Sequence, residues 1–272
     1  ILSLFANCFA GEGDEIVYSE HGFLVYPIAT KAAGATPVVA KEKRYKADVD
    51  EIINVCTNKT KVCFIANPNN PTGTYLNRNQ LITLRKKLPK SCLLVIDSAY
   101  AEYVEKDDYT NGFELVNKFN NVACTRTFSK IYGLAALRIG WAYASLEVTD
   151  YINRIRLPFN INTIAQHAAI AAIKDQKFIK KAIKHNNLWK PFIEKELINL
   201  GIQIIPGVGN FVLAKFNNPK QANDCNNYLE KHNIFVRKVL EYGLADCLRI
   251  TVGLEKENTY LIEIITDFIK NN

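Results

Sequence analysis

The stretch RTFSKIYGLAALRIG, residues 126–140, decides the fold. It joins two β-rich runs, residues 121–126 and 139–145, and carries Lys130 and Arg138 between them. Upstream, similar short runs alternate with helix-like segments such as residues 46–58 and 77–88. The upstream runs are residues 15–18, 36–40, 61–66 and 93–97. This alternation predicts an α/β unit, a mostly parallel sheet sandwiched by helices.

A different pattern follows Pro158. Residues 163–200 have a helical period, with an apolar stripe at Trp189, Ile193, Leu197 and Leu200. Beyond Gly201, four strand-like runs alternate with two helical segments. The strand-like runs are residues 202–205, 211–216, 234–239 and 248–252, and the helical segments are residues 219–232 and 255–269. We expect a large α/β domain over residues 1–175 and a smaller C-terminal α+β domain over residues 176–272.

Composition excludes several classes of protein. The 272 residues carry 34 Lys and Arg against 27 Asp and Glu, a net charge of +7, and no apolar run is long enough to span a membrane. Seven cysteines without a C-x-x-C pair favour a reducing, cytoplasmic location. The four scattered histidines lack zinc-site spacing, so we expect no metal. We expect neither nucleic-acid binding nor membrane association. No glycine-rich nucleotide-binding motif follows a strand, which disfavours a nucleotide-binding protein.

Polar residues follow the predicted strands at the positions where open α/β sheets bind ligands. Asn70 lies in the turn-forming run after residues 61–66, and Asp97 ends the next buried run. Thr127, Ser129 and Lys130 follow residues 121–126, and Arg138 precedes the run at 139–145. Each alone has an ordinary explanation, such as a turn or a surface charge. Together they supply an amine, an anion, hydroxyls and a guanidinium at one edge.

Pyridoxal 5'-phosphate needs this set of groups. Its aldehyde binds an amine, its phosphate binds hydroxyls and a guanidinium, and its pyridine nitrogen stays protonated beside an anion. Its phenolic oxygen needs hydrogen-bond donors. The strand ends therefore point to this cofactor.

The motifs resemble those of fold-type I pyridoxal-phosphate aminotransferases, and specifically the histidinol-phosphate aminotransferase family. The matching segments are NNPTG at 69–73, DSAY at 97–100, residues 126–140 and CLRITVG at 247–253. The resemblance covers nearly the whole chain and implies the aminotransferase large and small domains. Relatives continue further at the N-terminus, and the chain has no Met and starts at Ile1. We therefore expect an N-terminal segment to be missing. Ser98 stands where relatives often have Glu, and we expect it to point away from the cofactor.

The resemblance also implies roles for individual residues. Lys130 would bind the cofactor covalently and carry the proton, Asp97 would pair with the pyridine nitrogen, and Tyr100 would act with them. Asn70 and Tyr100 would bind the phenolic oxygen. The remaining cofactor contacts would be Thr127, Ser129 and Arg138 at the phosphate and Phe23 stacked on the ring. Arg249, Arg237 and Asn210 would bind the substrate, although core packing for Phe23 and plain surface charge for Arg237 remain open.

The implied activity is transamination between histidinol phosphate and 2-oxoglutarate in histidine biosynthesis, by a cytoplasmic homodimer. Fold and cofactor do not fix the substrate or the bond cleaved. An aromatic amino-acid aminotransferase and a phosphothreonine decarboxylase therefore stay as alternatives on the same scaffold. A non-catalytic pyridoxal-phosphate-binding regulator is a further alternative, and it would require a DNA-binding domain upstream of Ile1.

Overall fold

A computed structural model describes residues 1–271 of the chain. Its strands in chain order are β1 (Glu15–Ser19), β2 (Thr36–Ala40), β3 (Glu42–Lys43), β4 (Lys46–Ala47), β5 (Thr60–Ala66), β6 (Leu93–Asp97), β7 (Val122–Thr127), β8 (Gly140–Ala144), β9 (Gln203–Ile205), β10 (Phe211–Lys215), β11 (Arg237–Lys238) and β12 (Cys247–Thr251). Its helices are α1 (Leu2–Phe9), α2 (Val25–Ala32), α3 (Val49–Val55), α4 (Arg78–Lys87), α5 (Phe113–Lys118), α6 (Leu146–Ile155), α7 (Thr163–Lys174), α8 (Gln176–Asn199), α9 (Pro219–Lys231) and α10 (Glu255–Asn271).

The larger sheet has six strands in the order β2-β1-β5-β6-β7-β8. All neighbours are parallel except β7 and β8, which are antiparallel. The central strands are almost wholly apolar because helices cover both faces, as the sequence predicts. One apolar cluster lies between this sheet and α3 and α4, and a second lies between the sheet, α1 and α2.

A second sheet of four antiparallel strands has the order β11-β12-β10-β9. Helices α8, α9 and α10 pack against one face and bury an apolar core that includes Ile193, Leu197 and Phe268. The other face presents Leu213 and Arg249, which lie directly opposite each other on β10 and β12. Leu24 and Tyr45 from the first half of the chain pack against the apolar cluster on that face.

Two predicted elements differ from the structure. The helical segment at 163–200 is two helices, because the Asp175 carboxylate accepts a hydrogen bond from the Phe178 amide and starts a new helix, α8. The predicted strand at 234–239 shortens to Arg237–Lys238 at the edge of its sheet. None of the helices in residues 1–271 is long and apolar enough to cross a membrane.

Candidate active site

The carboxyl ends of β5, β6 and β7 converge at one edge of the larger sheet, since the three strands are parallel neighbours. Ala66 pairs with Asp97, and Asp97 pairs with Thr125. Strand β8 runs the opposite way and begins beside Thr127. Arg138, just before β8, therefore lies at the same edge as the residues that follow the parallel strands.

A cavity of about 470 Å³ opens at this edge. Its walls include the predicted cofactor residues Phe23, Asp97, Thr127, Ser129, Lys130 and Arg138. A smaller adjoining cavity shares Phe23, Asp97 and Lys130 with it and adds Asn70 and Tyr100. The structure therefore brings all eight sequence-predicted cofactor residues together around one continuous space.

Asp97 is the partly buried acid of this space. Tyr26 Oη donates a hydrogen bond to Oδ2 at 3.2 Å, and Thr125 Oγ1 donates to Oδ1 at 3.0 Å. Desolvation raises the pKa of the Asp97 carboxyl, while those two hydrogen bonds and the charge of Lys130 oppose the rise. None of the ion pairs found within residues 1–271 involves Asp97. A largely desolvated carboxylate without an ion-pair partner fits a ligand that brings its own cation.

Lys130 follows β7 and points its ammonium group toward an aromatic ring. Nζ lies 5.0 Å from the centroid of Tyr100, whose side chain is buried. Tyr100 in turn meets Phe211 of the second sheet edge-on, with 5.2 Å between ring centroids. The amine therefore reaches the cavity at the point where the two halves of the chain meet.

The turn between β7 and β8 carries the two hydroxyl groups and the guanidinium that the sequence predicts for the cofactor phosphate. Thr127 Oγ1 accepts a hydrogen bond from the Ser129 amide at 3.1 Å, which holds the two hydroxyl residues together. Arg138 is exposed and has a left-handed backbone, with φ of 55°, and its Nη1 donates to the Ala135 carbonyl at 2.8 Å. This conformation is uncommon outside glycine and clusters at functional sites.

Arg249 approaches the site from the second sheet. Its guanidinium donates a hydrogen bond to Oδ1 of Asn70 and lies over the ring of Phe211, 5.2 Å from the centroid. Its Nε is buried and has no hydrogen-bond partner within residues 1–271. Arg249 therefore joins the loop that carries Asn70 to the second sheet and keeps an unused donor.

The other two predicted substrate residues lie further out. Arg237 is directly opposite Arg249 on β11, and it is exposed and pairs with Glu241 at 3.5 Å. The Asn210 carbonyl accepts a hydrogen bond from the Val252 amide. Among the described residues, none of Arg249, Arg237 and Asn210 lines either cavity. Ser98 points away as expected, since its Oγ donates to the Asn111 carbonyl.

The sequence analysis missed Tyr26 and Thr125, the two donors to Asp97. Thr125 was accessible by periodicity, because it lies two residues before Thr127 and so faces the same side of β7. The contact of Tyr26 with Asp97 was not, because it joins segments 71 residues apart. Tyr26 lies three residues after Phe23, near the start of α2, and stacks on Phe64 with ring centroids 4.9 Å apart. Phe211 was also missed, because only the fold brings it to Tyr100.

Comparisons with known proteins agree with this geometry. Residues 1–265 match the family model for aminotransferase class I and II. Histidinol-phosphate aminotransferases from Paramagnetospirillum magneticum and Rhodopseudomonas palustris are 44% and 45% identical to the chain. Each match covers 99% of the chain, and it covers 75% and 74% of the respective relative.

A solved structure is similar in fold as well. The histidinol-phosphate aminotransferase of Sinorhizobium meliloti, crystallised with pyridoxal-5'-phosphate, superposes with a TM-score of 0.93 at 26% identity. The match covers 99% of this chain and 74% of that one. The predicted fold class is thereby confirmed.

Proposed function

Because this chain belongs to the class I and II aminotransferase family, we propose that it is a pyridoxal-phosphate-dependent histidinol-phosphate aminotransferase. It would transfer the amino group of histidinol phosphate to 2-oxoglutarate, giving imidazole-acetol phosphate and glutamate. The observation that carries the proposal is the convergence of Lys130, Asp97, Asn70 and Tyr100 on one space beneath Arg249. The names of relatives at 44–45% identity support the substrate.

The residues present fit pyridoxal phosphate. Lys130 is an amine without an ion-pair partner in the described chain, and Asp97 is a partly buried acid that a pyridinium would satisfy. When bound, the cofactor supplies an electron sink for the pair of electrons left on the substrate Cα. Thr127, Ser129 and Arg138 would hold the phosphate, Asn70 and Tyr100 would hold the phenolic oxygen, and Phe23 would contact the ring.

Lys130 moves the proton. Its Nζ would remove a proton from Cα of the amino donor and return one during the transfer, because Lys130 is the amine that lines both cavities. Asp97 would face the pyridine nitrogen as a carboxylate, and Tyr26 and Thr125 hold its two oxygens in place. The contact between Lys130 Nζ and the Tyr100 ring holds the amine at the cavity.

Arg249 binds the anionic group of each substrate. Glutamate presents a carboxylate and histidinol phosphate presents a phosphate, and a guanidinium binds either through two parallel hydrogen bonds. Arg237 adds a second positive charge on the neighbouring strand, and Asn210 lies directly before β10, where its carbonyl accepts a hydrogen bond from the Val252 amide.

We further propose a division into domains at residue 175 and a cytoplasmic homodimer. The division is supported by two separate sheets with separate apolar cores. The dimer is supported by apolar side chains that are exposed in the single chain between α6 and α7. These include Leu157 at 74% exposure and Phe159 at 99%. Seven unpaired cysteines are consistent with a reducing compartment.

The test is a substrate profile with purified protein and added pyridoxal phosphate. Initial rates of glutamate formation from 2-oxoglutarate are measured with histidinol phosphate, phenylalanine, tyrosine and phosphothreonine as donors, with Lys130→Ala as the control. The proposal requires the highest kcat/KM for histidinol phosphate. A higher value for an aromatic donor, or release of CO2 from phosphothreonine, would reassign the substrate while leaving the cofactor site in place.

A further inference from the structure

Glu102 is a buried carboxylate beside the cofactor site that the mechanism above does not use. It lies on the short 3-10 turn Ala101–Tyr103, two residues after Tyr100. Its side chain is only 10% exposed, and Oε1 accepts a hydrogen bond from Nη2 of Arg126 at 2.5 Å. Taking two charges out of water is unfavourable, and a buried ion pair offsets this only when the two groups keep a close, well-aligned contact. The positions of both side chains are therefore restricted.

Arg126 connects this carboxylate to the segment that carries the lysine. It precedes Thr127 at the end of β7, and its side chain is also only 10% exposed. The guanidinium carbon lies 5.5 Å from the centroid of Phe113 and 5.8 Å from that of Trp141, and the two centroids are 5.6 Å apart. The two rings therefore border one side of the guanidinium and restrict its movement, so displacement of Glu102 would be transmitted to the end of β7.

Tyr132 packs on the segment that leads to the lysine. It lies two residues after Lys130, and its ring lies 4.8 Å from that of Phe128 between centroids. Burial and the charge of Glu102 raise the pKa of the Tyr132 phenol. The charge of Glu102 therefore acts on both sides of the Thr127–Lys130 segment, and its ion pair with Arg126 holds one of them.

We propose that Glu102 is a positioning residue that sets the segment carrying Lys130 against the turn carrying Tyr100. Through Arg126 it fixes the end of β7, where the segment that leads to Lys130 begins. The inference rests on the proposed function, since it concerns how Tyr100 meets the phenolic oxygen of the cofactor. No other carboxylate in residues 1–271 forms an ion pair with Arg126.

The experiment compares Glu102→Gln with a matched control, Glu114→Gln. Glu114 borders the same polar cavity as Glu102 and pairs with Arg78 at 2.7 Å, but that pair is about half exposed. Three quantities are measured: the dissociation constant for pyridoxal phosphate by equilibrium dialysis, the pH at which the visible band of the lysine-bound cofactor changes, and the melting temperature without cofactor.

Weakened donation from Tyr100 makes the phenolic oxygen easier to protonate, so the pH of the band change should rise. We expect Glu102→Gln to raise it by about one pH unit, in the same direction as Tyr100→Phe. We expect the dissociation constant to increase about tenfold, because a small misplacement of binding groups is costly. Glu114→Gln should match the wild type in both. A purely structural role would lower the melting temperature and leave the pH of the band change unmoved.

A second variant keeps the test decisive if Glu102→Gln fails to fold. Arg126→Lys keeps the positive charge but loses the planar fork from which Glu102 accepts its hydrogen bond, and it should shift the band in the same direction by a smaller amount. If the wild-type protein forms the band and the variants change it at the same pH as the wild type, the positioning role alone is overturned. A wild-type protein that forms no lysine-dependent band would overturn the proposed function and this inference together.

Discussion

At the scale of single residues, the ionised form of Asp97 that the proposed function needs lowers the stability of the cofactor-free protein. Burial raises its pKa, so the folded chain holds this proton more tightly than the unfolded chain does. Its contribution to stability is therefore present at low pH and is lost as pH rises from the ordinary Asp value, about 4, through the raised value in the folded chain. At neutral pH the ionised carboxylate therefore lowers the free energy of unfolding of the cofactor-free protein.

Asp97→Asn tests this. In cofactor-free protein, we expect the free energy of unfolding of the variant, relative to wild type, to increase as pH rises from about 4 to about 7. We expect kcat to fall about 100-fold or more, because the neutral amide cannot stabilise a protonated pyridine. Urea unfolding at a series of pH values measures the first quantity. A pH-independent difference in stability would contradict the raised pKa.

Arg249 gives a second prediction at this scale. If one guanidinium serves both substrates, Arg249→Ala should lower kcat/KM for glutamate and for histidinol phosphate alike, by about 10- to 100-fold. Arg249→Lys should recover only part of the loss, since an ammonium cannot form two parallel hydrogen bonds. Steady-state kinetics with each donor measures this. Loss of only one donor would mean two separate anion sites.

At the scale of elements, two loops hold Asn70 under the second sheet. The Val208 amide donates a hydrogen bond to the Gly73 carbonyl at 2.8 Å. A Cβ on Gly207 would lie 2.7 Å from Cα of Gly73, closer than real contacts allow. The absence of a side chain at both positions lets the loop after β5 reach the loop before β10, which brings Asn70 to Arg249.

Gly207→Ala should therefore separate the loops. We expect a loss of about 1–3 kcal/mol in stability, as for other overpacked sites, together with a raised KM for both amino donors. Gly11→Ala is the matched control, because nothing lies within 4 Å of a Cβ at that position. Thermal unfolding and steady-state kinetics measure the two effects. Wild-type KM values in Gly207→Ala would show that the loop contact does not position Arg249.

Elements of the larger sheet were predictable because buried strands are nearly continuous apolar runs, as in β5 and β6. The hairpin β3–β4 was not predictable, because its turn places Arg44 and Tyr45, and not glycine, at positive φ. The apolar run at residues 1–10 gave no clear element, whereas the structure forms α1 and buries Phe5 and Ala6.

Part of the candidate site was predictable because its signals, like those of the buried strands, are local in sequence. Strand-end motifs are local in sequence, and so Asn70, Asp97, Thr127, Ser129, Lys130 and Arg138 could be named in advance as candidates, whereas the role of Phe23 followed only from the family resemblance. All of them line the two adjoining cavities. Contacts between distant segments were not accessible, such as Tyr26 with Asp97 and Arg249 with Asn70, which are 71 and 179 residues apart. These depend on how the two sheets face each other.

At the scale of the whole molecule, the proposed dimer would cover the apolar segment between α6 and α7. Leu157→Asp should convert the dimer to monomers, because the contact would have to bury an unpaired carboxylate. Phe235→Asp is the control, since Phe235 is 79% exposed but lies at the edge of the second sheet. Sedimentation velocity distinguishes the two states. A dimeric Leu157→Asp protein would place the interface elsewhere.

The central claim is that the space lined by Lys130, Asp97 and Tyr100 performs transamination on histidinol phosphate. The most direct measurement loads the protein with pyridoxal phosphate, adds histidinol phosphate alone, and follows the visible absorbance of the lysine-bound cofactor in a stopped-flow instrument. The account predicts a fast and complete loss of that band, much slower loss with phenylalanine or tyrosine, and no band at all in Lys130→Ala. A wild-type band that histidinol phosphate leaves unchanged would contradict the assigned activity.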